Sequence, residues 1–104
     1  MERYYFTGIC NYERHECINK LERIITNYGF ITDFKMLSDI SLSIIIEINR
    51  NKINALYYAL RNYLIMDPFN NPDSKSTDEC ILLMHVTFKH GTGDLAIEVP
   101  NVPG

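Results

Sequence analysis

Residues 40–48 read Ile-Ser-Leu-Ser-Ile-Ile-Ile-Glu-Ile and form the most regular pattern in the chain. Leucine or isoleucine occupies every even position of this segment, while the odd positions between them carry serine, isoleucine or glutamate. Because successive side chains of a β-strand point to opposite faces, this alternation predicts a strand with one face in a core and one mostly polar face. It is the third predicted strand in chain order.

Two strands and a helix are predicted before this segment. Residues 3–9 are rich in aromatic and β-branched side chains, which is typical of a strand. After Asn11, a suitable helix cap, apolar residues recur at spacings of three and four, and Gly29 is predicted to take the left-handed position that ends this helix. A second strand over residues 30–37 follows, with Phe30, Thr32, Phe34 and Met36 expected on one face. Its short turn at residues 38–39 predicts an antiparallel hairpin with the third strand.

A second helix and a fourth strand are predicted after the third strand. Asn51 or Asn49 caps the helix, which is expected to end near Met66 because Asp67-Pro68 disfavours further helix. Residues 67–79 contain two prolines and several small polar residues, so they indicate a long surface loop. The fourth strand covers residues 80–89.

The last segment predicts a turn, a short strand and a tail. Glycines in residues 91–94 favour a hairpin turn, residues 95–99 are expected to form a fifth strand, and residues 100–104 are expected to form an extended tail because they contain two prolines. The fifth strand would either extend the sheet beyond the fourth strand or fold across it.

This order of elements predicts the fold class α+β. The sequence β-α-β-β-α-β with an additional C-terminal hairpin strand is the ferredoxin-like sandwich, with two helices on one face of an antiparallel sheet. The expected strand order is four, one, three, two, with right-handed crossovers. A parallel doubly wound sheet is excluded because too few residues join strands two and three. Residues 1–104 are expected to form a single domain.

Composition limits the classes of function. The chain has 104 residues, 46% hydrophobic and 22% charged, and a formal net charge of −3. These values are typical of one compact domain and do not favour a nucleic-acid partner, which calls for clustered Lys and Arg. No apolar run reaches the roughly 18 residues of a membrane span, and the first residues lack a signal-like pattern, so a cytoplasmic location is expected. Three cysteines are an odd number, which favours reduced, buried thiols.

The predicted fold leaves one sheet face uncovered. Ile45 and the serines of the third strand point to that face, and the strand over residues 80–89 is apolar on both faces. A strand buried on both sides needs a second layer, so we expect a homodimer through the open sheet face or its edges. The alternative is a monomer in which residues 95–102 fold back over this face.

The sequence contains few residue patterns that are typical of metal-binding, anion-binding or catalytic sites. Cys10, His15 and Cys17 do not have a usual zinc-ligand spacing, so no metal site is predicted. His85 and His90, together with the turn at residues 91–94, are a candidate anion site. The alternative is that the two glycines of this turn serve only to form an ordinary hairpin. No nucleophile–base pair, phosphate-binding loop or dinucleotide fingerprint is present. The sequence therefore predicts no catalytic residue, no cofactor and no enzymatic activity.

Two segments resemble the ACT-like group of small-molecule-sensing regulatory domains. They are Tyr-Phe-Thr-Gly at residues 5–8, leading into a helix, and Leu-Glu-Arg-Ile-Ile-Thr-Asn-Tyr-Gly-Phe-Ile at residues 21–31. The likeness continues through the hairpin and the second helix and covers residues 3–89. It implies a dimerising regulatory domain that holds a small ligand between the loop after the first strand and a neighbouring chain. The candidate ligand-binding residues of that loop are Gly8, Ile9, Cys10, Asn11, Tyr12 and Glu13.

The alternative function is a structural or protein-interaction module that uses the open sheet without a small ligand.

Overall fold

A computed structural model describes residues 1–69 and 75–89. The predicted turn over residues 91–94, the fifth strand over 95–99, the tail over 100–104 and the proposed back-folding of residues 95–102 lie outside the described residues. Within the described part, a 3-10 turn at Arg50–Lys52 precedes the second helix. The strands and helices are β1 (Arg3–Cys10), α1 (Arg14–Thr26), β2 (Gly29–Ser38), β3 (Ser41–Asn49), α2 (Ile53–Arg61), β4 (Ile65–Met66) and β5 (Glu79–Phe88).

The sheet has the strand order β2-β3-β5-β1-β4 and is mixed. β3 is antiparallel to both β2 and β5, whereas β1 pairs with β5 in parallel over the whole length of β1, from Arg3 opposite Ile81 to Cys10 opposite Phe88. Within residues 1–69 and 75–89 the molecule is therefore α+β, with a five-stranded sheet and two helices. The predicted antiparallel sheet in the ferredoxin-like order is wrong, because the last described strand lies between β1 and β3.

The segment after α2 explains this position of β5. The second helix ends at Arg61 and not near Met66, and Ile65–Met66 form β4. β4 pairs with the end of β1, and the Asp67 backbone N–H then donates to the Thr7 carbonyl at 2.9 Å. Since this chain segment occupies the outer edge of β1, β5 pairs with the inner edge.

The core lies between the sheet and the two helices. Alternate side chains of β1, β3 and β5 pack against α1 and α2, and the even positions of the third predicted strand from Leu42 to Ile48 are almost completely buried, as predicted. The burial predicted for Ile40 is wrong, because this residue lies before β3 and is 48% exposed. Cys10, Cys17 and Cys80 are free, buried thiols, which confirms their expected state. Burial raises the pKa of the Cys17 thiol, so it stays protonated at neutral pH.

β2 departs from the regular alternation that the sequence predicted. A register shift lies between Ile31 and Asp33. Phe30, before the shift, faces the open side of the sheet, whereas Phe34, after it, lies opposite buried Ile44 on the helix side. The prediction that Phe30 and Phe34 share one face is wrong because a β-bulge adds one residue between them and reverses the alternation.

Among residues 1–69 and 75–89, no helix has the length and apolar character that a bilayer crossing requires.

Candidate ligand-binding groove and open sheet face

The first three residues of the predicted ligand loop belong to β1. Gly8 and Cys10 face the core, where Cys10 is completely buried. A Cβ added to Gly8 would lie 2.9 Å from the Met66 sulfur, so this position is closely packed. Ile9 faces the open side of the sheet, opposite Thr87. These three side chains therefore do not converge on a common surface.

The other three residues, Asn11, Tyr12 and Glu13, are exposed and connect β1 to α1. Glu13 caps the helix, because its carboxylate accepts hydrogen bonds from the backbone N–H groups of His15 at 2.9 Å and Glu16 at 3.1 Å. The prediction of Asn11 as the cap is wrong, since α1 begins at Arg14. Of the six predicted residues, Tyr12 is the one that lines a groove.

Glu13 makes the stability of α1 depend on pH. The hydrogen bonds from His15 and Glu16 hold the pKa of the Glu13 carboxyl below its usual value near 4.5. A folded-state pKa below the unfolded one gives stabilisation that is present above the unfolded pKa and is lost as pH falls through the folded pKa. We therefore expect Glu13→Gln to lower the melting temperature at neutral pH and to have less effect at about pH 3.

Thermal melts of the two proteins at both pH values check this expectation. Glu22→Gln is the matched control, because Glu22 is an exposed glutamate of the same helix and does not cap it. An equal loss of melting temperature for Glu13→Gln at both pH values would contradict the capping role of the carboxylate.

A groove of about 430 Å³ lies beside α1. This volume falls within the roughly 300–1,000 Å³ that is typical of small-molecule pockets. Its aromatic wall is formed by Tyr12 and Tyr63, whose rings stack with centroids 4.6 Å apart and an interplanar angle of 8°. The rest of the lining consists of four polar side chains on successive turns of α1, Glu16, Asn19, Lys20 and Arg23. Spacings of three and four residues place all four on one face of the helix.

The groove is lined by side chains of both charges. Neither Lys20 nor Arg23 forms an ion pair within the described part of the chain. The Tyr63 hydroxyl is buried and has no hydrogen-bond partner there. Burial raises the pKa of Tyr63, so the hydroxyl remains a potential O–H donor at neutral pH. The groove can therefore hold an anionic group beside an aromatic surface, with Glu16 available for a cationic group.

The open sheet face carries a pair that sequence reasoning missed. Ser41 Oγ and His85 Nε2 are 2.7 Å apart, although the two residues are separated by 44 positions. Their contact depends on the pairing of β3 with β5, for which the sequence gives no local signal. Nucleophilic catalysis also needs a group that orients the imidazole. Among the described residues no carboxylate hydrogen-bonds to His85, and neither residue of the pair lines the groove beside α1, so we assign no reaction to it.

Within residues 1–69 and 75–89, no group of three or more His, Cys, Asp or Glu side chains lies close enough together to hold a metal ion.

No protein-family model, curated protein or solved structure matches this chain. The resemblance to ACT-like domains stays a prediction, and the observed strand order differs from the ferredoxin-like order that this resemblance implies.

Proposed function

We propose that this protein is a non-enzymatic regulatory domain that binds a small, ring-bearing zwitterion, such as an aromatic amino acid, in the groove beside α1. One observation carries the proposal, namely the placement of two cations, Lys20 and Arg23, and the stacked pair of Tyr12 and Tyr63 on the same 430 Å³ groove.

Each part of the groove fits one part of such a ligand. Lys20 and Arg23 offer charge-assisted hydrogen bonds to a carboxylate. Tyr12 contacts Tyr63 through one ring face and is 44% exposed, which leaves room for a ligand ring to stack. Glu16 lies one turn before Lys20 and offers an acceptor for an ammonium group. A ligand with a carboxylate, an aromatic ring and an ammonium group contacts more of the residues that line the groove than a simple anion does.

Thermal-shift measurements with four ligand classes test the proposal. The panel contains aromatic amino acids, aliphatic amino acids, aryl carboxylates without an amine, and nucleotides. Binding to the folded state alone raises its stability, and a ligand at a hundredfold excess over its Kd shifts the melting temperature by about 10 °C. We expect the largest shift from the aromatic amino acids, because they alone carry a ring and both charges.

Variants separate binding in the groove from binding elsewhere. The double variant Lys20→Ala/Arg23→Ala is expected to abolish the shift. The matched control Lys52→Ala/Arg61→Ala removes one lysine and one arginine outside the groove and should retain it. Absence of a shift with every class, or an equal shift in both double variants, would contradict the proposed site.

The open sheet face favours a second candidate function, a protein-interaction module without a small ligand. Ile45, Ile81 and Leu83 form a half-buried apolar centre on this face, and Tyr5 and Phe30 at its margins are 63% and 69% exposed. Contiguous exposed apolar side chains are typical of surfaces that bind other proteins. The absence of a thermal shift with all four ligand classes, together with self-association through this face, would favour the second candidate.

A further inference from the structure

β2 is one of the two outer strands of the sheet and has one unpaired edge in the described part of the chain. It is ten residues long and pairs with β3 alone. A free strand edge presents backbone N–H and C=O groups to which another strand can pair. The side chains along β2 determine which strand fits.

The central residues of β2 have a specific charge and apolar pattern. The register with β3 is regular from Asp33 to Met36, between two register shifts. Asp33 and Lys35 lie opposite Ile45 and Ser43, so both charges belong to the open face of the sheet. They alternate with Phe34 and Met36, which belong to the helix side.

The helix layer does not fully cover this part of the edge. Phe34 and Met36 are 37% and 38% exposed, although their cross-strand neighbours Ile44 and Leu42 are completely buried. The two apolar side chains therefore lie at the border of the core, where another strand with its own helix layer would cover them.

We propose that the partner of this edge is a second copy of this chain. The two β2 strands pair antiparallel about a two-fold axis that places Phe34 of one copy opposite Phe34 of the other. In this register, Asp33 of each protomer lies opposite Lys35 of its partner, so the interface contains two reciprocal ion pairs beside an aromatic pair. Cross-strand pairs of opposite charge and of aromatic side chains stabilise antiparallel sheets, and a two-fold axis makes one self-complementary patch sufficient.

The charges also exclude the neighbouring registers. A shift of two residues in one direction places Asp33 opposite Asp33, and the reverse shift places Lys35 opposite Lys35. A shift of one residue would pair side chains of one face with side chains of the other, which antiparallel pairing does not permit. A lysine on an edge strand usually discourages pairing, but in this register each lysine meets an aspartate.

The regular segment is short, so the dimer is expected to dissociate on dilution. Its interface includes none of the groove residues Tyr12, Glu16, Lys20, Arg23 and Tyr63, and it does not depend on the proposed ligand.

Sedimentation velocity of the full chain over a series of concentrations tests this dimer. The variants are Asp33→Lys, Lys35→Asp and the double variant Asp33→Lys/Lys35→Asp. Each single change creates like-charge pairs at the two-fold axis and should weaken the dimer by about tenfold or more. The double variant exchanges both charges and should restore the wild-type dissociation constant within about threefold.

A mixture of the two single variants gives an independent test of the register. The Asp33→Lys chain is positive at both positions and the Lys35→Asp chain is negative at both, so the mixture should form heterodimers although each chain alone is weakly associated. Glu22→Lys and Lys52→Asp make the same charge changes at exposed positions outside β2 and should leave the dimer unchanged. Circular dichroism of each variant confirms that it is folded.

Three results would overturn the inference. The first is a monomeric wild-type chain at all concentrations. The second is a wild-type dimer that both single variants retain, which would place the contact on the open sheet face or with another segment. The third is a double variant as weakly associated as the single variants.

Discussion

We expect Leu82→Ala to lower the free energy of unfolding by about 2–5 kcal/mol. Leu82 is completely buried on the helix side of β5, and this strand has neighbours on both sides, β3 and β1. Truncation leaves a cavity that two flanking strands and the helix layer cannot easily close. Since domains of this size are stabilised by about 5–15 kcal/mol in total, the expected loss is a large part of the whole.

Leu83→Ala is the matched control, because Leu83 follows on the same strand and lies half-buried on the open face. Its expected loss is about 1 kcal/mol. Denaturant unfolding followed by circular dichroism, with equal m-values for the three proteins, measures both losses. Similar losses for the two variants would contradict the open position of the sheet face that carries Leu83 and would show that both faces of β5 are equally covered.

Patterns that depend on neighbouring residues were predictable from the sequence. The alternation at residues 40–48 predicted the burial of Leu42, Ile44 and Ile46 and the position of Ile45 on the other face of the sheet, and the structure confirms these four positions. The period of a strand is set by the geometry of consecutive residues, so no long-range information is needed. The number and order of the longer helices and strands within the described residues followed from the same local signals.

The strand order was not predictable in the same way, because it depends on pairing between distant segments. Ile65–Met66 form a strand of two residues, which is too short to show a period, and the sequence assigned them to the end of the second helix. This small element takes the outer edge of β1 and so changes the position of β5. The bulge near Thr32 was missed for a related reason, since a single inserted residue leaves the composition of a strand unchanged.

The candidate groove was predictable only in part. Tyr12 belonged to the predicted loop, whereas Tyr63 comes from the other half of the chain. The polar residues at 16, 19, 20 and 23 have helical spacing that is visible in the sequence, but such spacing is equally typical of a solvated helix face. Only the tertiary packing brings these residues and the two tyrosines together.

Gly29→Ala has the second large expected effect. A Cβ at Gly29 would lie 2.8 Å from the Glu47 carbonyl oxygen and 2.9 Å from Ile46 Cγ2, both on the paired strand β3. Because the nearest atom belongs to the backbone, the start of β2 must move away from β3. We expect a loss of about 1–3 kcal/mol in the free energy of unfolding, as for other overpacked sites. Gly8→Ala should cost less, because its closest contact is the mobile end of the Met66 side chain.

A second substitution, Gly29→Asn, tests the physical reason for this glycine. The sequence predicted a left-handed residue after α1, but the helix is capped at Asn27 and the Gly29 backbone, within β2, is not left-handed. Asparagine adopts the left-handed conformation more readily than alanine does, so it would be the better replacement if conformation were limiting. Because space is limiting, we expect Gly29→Asn to lose at least as much unfolding free energy as Gly29→Ala. Denaturant unfolding of both variants decides between the two explanations, and a more stable Asn variant would show that conformation dominates.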